Sequence, residues 1–139
     1  MGTASGIDPA PLTYRFPAMA EHIAPVRRAV RAYAEEHGAH NPDGVALALS
    51  EAATNAVLHA YVDADTPGDV EVVAQRVPDN GLVLAVCDEG RGMHPRADSP
   101  GLGLGLALVA ANASRLEVEQ RPSGGTRVSM TFPADTWAG

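Results

Sequence analysis

An α+β sandwich, one layer of helices on one layer of strands, follows from three features of this sequence. Pro78-Asp79-Asn80-Gly81 and Ser123-Gly124-Gly125 are turn sequences between strand-like runs, so each reads as the tip of a hairpin. The stretches 18–37 and 43–61 carry apolar residues at helical spacing, and a third helix opens after a glycine-rich run at 101–105. The tally is about three helices and five strands with two hairpins, a two-layer sandwich rather than a doubly wound sheet with helices on both faces.

Composition bounds the rest. The 139 residues fit one domain, and a hydrophobic share of 45% is that of a globular chain. Aromatic residues make up only 4%, so Val, Leu and Ala must build the core. The formal net charge of -7 disfavours nucleic acid or an anionic membrane as the main partner. All 10 basic residues are Arg, which excludes a P-loop lysine and a lysine Schiff base. Cys87 is the single cysteine, so an intrachain disulfide is excluded, and its apolar run marks it as packing rather than a reactive thiol. With neither a membrane-length apolar run nor a signal pattern, a cytoplasmic location is expected.

In chain order, residues 1–11 read as a flexible tail, 12–133 as the folded domain and 134–139 as a second tail. Leu12 to Phe16 is a short strand bounded by Pro17. In the first helix Ile23, Val26, Val30 and Tyr33 form one stripe, Pro25 lies in the first turn, and Gly38 is the stop. Arg27, Arg28 and Arg31 share the side of that helix, as a solvated face or a docking surface for an acidic protein. Asn41-Pro42-Asp43-Gly44 is turn chemistry that offers Asp43 as the cap of the second helix. Asp69 to Val77 alternates as a strand, and Leu82 to Cys87 is a nearly continuous apolar strand expected at the sheet centre. After a loop and the third helix, which is expected to reach about Arg115, come the strands Leu116 to Arg121 and Thr126 to Phe132.

The second helix is the chemically informative element. Glu51, Asn55 and His59 are four apart and stack on one face, where Ala48 and Ala52 are expected to leave room for a ligand. Mid-helix Asn is unfavourable because its amide competes for backbone hydrogen bonds, which points to a role that outweighs propensity. Taken alone, the ladder is equally compatible with a solvated face. The glycines at 101, 103 and 105 do not match a dinucleotide fingerprint, because Leu106 stands where its third glycine belongs. They do open an apolar helix, whose N-terminal amides can hold phosphate oxygens.

Taken together, Glu51-x-x-x-Asn55, Asp88-x-Gly90-x-Gly92, Gly101-x-Gly103-x-Gly105 and Gly124-Gly125-Thr126, in this order, resemble the boxes of the GHKL ATPases. The run Glu51-Ala52-Ala53-Thr54-Asn55 through Tyr61 is most similar to that of small bacterial anti-sigma-factor serine/threonine kinases. The resemblance covers about 43–132 and implies the Bergerat, histidine-kinase-like ATPase fold, with a mixed, mostly antiparallel sheet and the helices on one face.

It also implies roles. Asn55 resembles the Mg2+ ligand, an ion that needs few protein ligands because it keeps its waters. Glu51 resembles the general base for an attacking hydroxyl. Asp88 resembles the acceptor for the adenine amino group, and Thr126 the hydroxyl that reaches adenine through water. Gly90, Gly92 and Met93 would lie along the base, while Gly101, Leu102, Gly103, Leu104 and Gly105 would supply backbone to the phosphates. His59 would bind phosphate or orient the ladder, though a satisfied histidine is as good a reading. Residues 93–100 would form a short lid. Arg91 and Arg96 are the cations nearest the phosphates in sequence, and neither is assigned a role.

The expected protein binds ATP and Mg2+, phosphorylates a small anti-anti-sigma antagonist, sequesters a sigma factor, and forms a homodimer. Neither a histidine-kinase dimerisation helix pair nor a transducer domain is expected beside the ATPase-like stretch. The alternatives are a non-catalytic ATP-binding module and a nucleotide-free interaction domain. Every nucleotide-based version requires Asp88 on the sheet face that looks toward the helix, and Asn55 within reach of the same ligand rather than closed into the interior.

Overall fold

The computed structural model describes residues 9–60, 68–78, 81–90, 113–122 and 124–135. Strand β1 (Leu12–Pro17) leads through a 3₁₀ turn (Ala20–His22) into helices α1 (Ile23–Glu36) and α2 (Pro42–His59), followed by β2 (Asp69–Val77), β3 (Gly81–Asp88), β4 (Arg115–Gln120) and β5 (Thr126–Phe132). The strands form one sheet in the order β1-β2-β3-β5-β4, with β3 at its centre as expected. Every pairing among the described residues is antiparallel, which corrects the expectation of a mixed sheet. The chain leaves β3, enters the far edge as β4 and turns back, so β5 runs antiparallel to both its neighbours.

Two α-helices lie among the described residues, not three; of the stretch assigned to the third, 101 to about 115, residues 101–112 lie outside them. Arg115, expected at that helix's end, instead begins β4. The first helix also begins later than its apolar pattern predicts, because Ala20–His22 takes the tighter 3₁₀ form before α1 starts at Ile23. Asn41 rather than Asp43 caps α2, its side chain accepting from Gly44 N at 3.0 Å. Pro42 then takes the first helical position, where its missing N–H costs nothing, and this moves the cap one residue ahead of the proline.

Alternation along each strand separates two faces. Val70, Val72, Leu82, Leu84, Val86, Val128, Met130 and Phe132 point into one core cluster with Val26 and Val30 of α1 and Val45 and Leu49 of α2. The helix side of that cluster is lined by Ala48, Ala52, Ala53 and Ala56, all buried. Small side chains here let α2 approach the sheet closely. Ala48 and Ala52, expected to leave space for a ligand, are therefore core residues, a correction that follows from their place on the sheet-facing arc.

One end of the sandwich is stitched shut. Ala39 and Ala134 form an isolated antiparallel bridge, and Asp135 N donates to Gly38 O at 2.8 Å. Gly38, at φ 79°, makes the left-handed exit from α1 that its sequence position predicts. The buried Arg76 donates to the carbonyls of Val77 and Asp135. The Tyr33 hydroxyl accepts from Arg76 N at 3.0 Å and donates to Ala10 O at 3.2 Å.

Candidate functional site

The opposite end gathers the chemistry. Asp88 closes β3 in register with Val70, and it shares the parity of Leu82, Leu84 and Val86, so its side chain belongs to the helix-facing side. Thr126 opens β5 on the same face, and both are buried, at 3% and 1% exposure. The Asp88 carboxylate accepts from the backbone amides of Gly90, at 3.1 Å, and Thr126. Burial pushes its pKa above the ordinary value, opposed by those two amides and by the charge of Arg121.

Two glycines let three elements converge there. A Cβ on Gly90 would lie 2.1 Å from the carbonyl oxygen of Ala60, the residue that caps α2. A Cβ on Gly125, at φ 91°, would lie 1.9 Å from the Asp88 carbonyl oxygen. The end of α2, the end of β3 and the β4–β5 turn therefore meet at backbone distance, which any side chain would forbid. Gly124, at φ 99°, donates to Arg121 O at 2.9 Å and completes the tight turn read from the sequence.

On α2 the buried arc runs from Ala46 and Ala53 round to Ala48, and Asn55 lies at its edge. Glu51, one turn earlier, is half-buried, while Thr54, Leu47 and Leu58 on the next strip are exposed. Asn55 is only 4% exposed, which goes against the expectation that it stay open rather than closed into the interior: among the described residues the middle rung of the ladder is closed in and its first rung lies at the margin. Yet Asn55 Nδ2 has no hydrogen-bond partner among the described residues. Interior amides are normally satisfied, and an orphan costs about 1–3 kcal/mol. Turning the amide by 180° exchanges its oxygen and nitrogen, so this position can present an acceptor to a cation. Such a position can meet a ligand group, and in this respect the donor type fits a cation with few protein ligands.

His59 is the last residue of α2. Gly92, Met93, Gly101, Leu102, Gly103, Leu104 and Gly105 lie outside the described residues, as do Arg91 and Arg96. Cys87 is buried on the outer face of β3, where burial raises its thiol pKa, in keeping with packing. Arg31 is engaged by Asp43 and Glu35, whereas Arg27 and Arg28 line an open groove between α1 and α2 with Ala46 and Leu47. Sequence reasoning missed Arg121, whose Nη1 donates to Asp88 O at 3.1 Å. Its signal was a cation placed just before the Gly124-Gly125 turn.

With this geometry in place, the class is defined: the chain belongs to the family of the histidine kinase-like ATPase domain, whose model matches residues 16–132. Among curated proteins it is similar to the anti-sigma F factor of Clostridium acetobutylicum, 31% identical over 99 residues, which cover 63% of this chain and 67% of that protein. It is also similar to the anti-sigma F factor of Caldanaerobacter subterraneus subsp. tengcongensis, 32% identical over 98 residues covering 63% and 66%. The match thus spans about two thirds of the length of these relatives.

Proposed function

We propose that this protein is an ATP- and Mg2+-binding anti-sigma factor of the cytoplasm that phosphorylates a serine or threonine of a small antagonist protein and, as a homodimer, sequesters a sigma factor. The observation that carries the nucleotide part is the meeting of Asp88, Thr126, Gly90 and the end of α2 on the helix-facing side of the sheet. An ionised, buried carboxylate there accepts from an exocyclic amine, which adenine has and guanine lacks at the equivalent ring position. Thr126 offers a second polar group to the same base.

Asn55 holds the metal, and the ion's chemistry is neutralisation of phosphate charge. Glu51, one turn earlier at the margin of the buried arc, takes the proton of the attacking hydroxyl. Its half-buried position gives an incoming protein side chain access while limiting water. Gly92, Met93 and 101–105 complete the nucleotide contacts in this reading, with His59 beside the phosphates. The sigma-factor and antagonist partners are inferred from the names of the relatives and their family, with Arg27, Arg28 and Arg31 as the docking candidates.

Titration calorimetry with Mg2+-ATP tests binding, and transfer of label from ATP to a cognate antagonist tests the kinase. No heat of binding would leave a nucleotide-free interaction domain. Binding without transfer to the antagonist would leave the non-catalytic module.

A further inference from the structure

Arg121 belongs to none of the motifs that define the site, yet it touches the residue that carries base recognition. It leaves β4 at the turn, receives a hydrogen bond from Gly124 N at 2.9 Å, and its own N–H donates to Gly125 O at 2.9 Å. Its guanidinium reaches across to the carbonyl of Asp88 at 3.1 Å. That carbonyl is the one that would collide with a side chain at position 125. The arginine therefore spans the contact between β3 and the β4–β5 turn at its tightest point.

We propose that Arg121 is a positioning residue for the base-recognising carboxylate, clamping the Asp88 peptide against the β4–β5 turn so that Asp88 and Thr126 meet the ligand as one unit. This rests on the nucleotide reading above and extends it to a residue outside the motifs. The electrostatics run the same way. Burial raises the Asp88 pKa, while Arg121, Gly90 N and Thr126 N oppose the rise. Among the described residues, the β2 register partner is Val70 and α2 offers Ala60, neither of them charged. Glu89 is drawn toward Arg15 on β1, at 3.8 Å.

The test uses the full chain in two measurements. In the nucleotide-free protein, carbon NMR of the Asp88 carboxyl follows its titration in wild type, Arg121→Gln and Arg121→Lys. Glutamine keeps a donor without charge and lysine keeps the charge without the fork. The expected result is an upward shift of the midpoint by roughly half to one pH unit in Arg121→Gln, with Arg121→Lys restored to near wild type. Calorimetry with Mg2+-ATP at neutral pH should then show affinity reduced roughly five- to tenfold in Arg121→Gln, as for loss of a charge-assisted hydrogen bond. An unmoved midpoint, even with a lowered Tm, would make Arg121 a structural residue only and overturn the proposal. A shifted midpoint in Arg121→Gln together with no ATP binding by the wild type would instead overturn the nucleotide reading, and with it the ligand role of the clamp.

Discussion

Replacing Asn55 by leucine removes a buried amide whose nitrogen has no partner among the described residues and keeps the branching of the side chain. Three contributions set the outcome. The orphan group costs about 1–3 kcal/mol in the folded state, and this cost disappears. Leucine is the better helix former by about 0.5 kcal/mol. Against these stands the lost amide oxygen, worth about 1 kcal/mol as an acceptor. The nucleotide-free variant should therefore be more stable than wild type by about 0.5–2.5 kcal/mol, equivalent in a chain of this size to a Tm higher by about 2–9 °C. Thermal unfolding with and without Mg2+-ATP measures both halves of the argument. Wild type should gain stability with nucleotide through mass action, and Asn55→Leu should gain none. A variant less stable than wild type would show that Asn55 is a satisfied structural amide. Nucleotide-dependent stabilisation of the variant equal to that of wild type would remove Asn55 from the metal site.

Glu51→Ala should bind Mg2+-ATP with unchanged heat yet lose label transfer to the antagonist by roughly a hundredfold or more, as for removal of a general base; undiminished transfer would take Glu51 out of the mechanism. Gly125→Ala should lower stability by roughly 2 kcal/mol or more, read by denaturant unfolding, because a Cβ would meet the Asp88 carbonyl at 1.9 Å on a backbone at φ 91°. Asp88→Asn should abolish selectivity for ATP over GTP in competition binding, since the amide offers a donor where only an acceptor stood. The same variant carries a pH signature. Burial raises the folded-state pKa of Asp88 above its ordinary 3.8, so between these values the folded protein binds more protons than the unfolded chain. Wild-type stability relative to Asp88→Asn should therefore rise as pH falls from 7 toward 4. A pH-independent difference would show that the Asp88 carboxyl has the same affinity for protons in both states.

The sheet was legible because its signals are local. Asn80-Gly81 and Gly124-Gly125 name their turns, and alternation in β2 and β5 assigns faces without reference to the rest of the chain. The face of Asp88 was not legible in this way, because β3 is apolar on both faces; its register with β2 and β5 shows that Asp88 points the same way as Val86. Nor could the sequence show depth. Glu51, Asn55 and His59 share a face by spacing, but whether that face meets solvent depends on how closely α2 approaches the sheet. Ala48 and Ala52 read as a vacancy beside the ladder and are in fact the means of that close approach. The cap was misplaced for a related reason, since Asn41 and Asp43 are both good capping residues and only the position of Pro42 decides between them. Arg121 was missed because it meets Asp88 across 33 positions of chain.

The alanine-lined contact between α2 and the sheet sets the tolerance of this protein to sequence drift. Alanine loses no rotamer freedom on burial and offers few atoms for dispersion, so at these positions the contact depends on close approach, with Val45 and Leu49 supplying the larger side chains of α2. Each added methylene at 48, 52, 53 or 56 would wedge the helix outward along its whole length. Small, unreactive residues are thus among those with little freedom to change. A survey of neutral substitutions would find those alanines silent, while bulkier core positions such as Leu84 or Met130 exchange among apolar types.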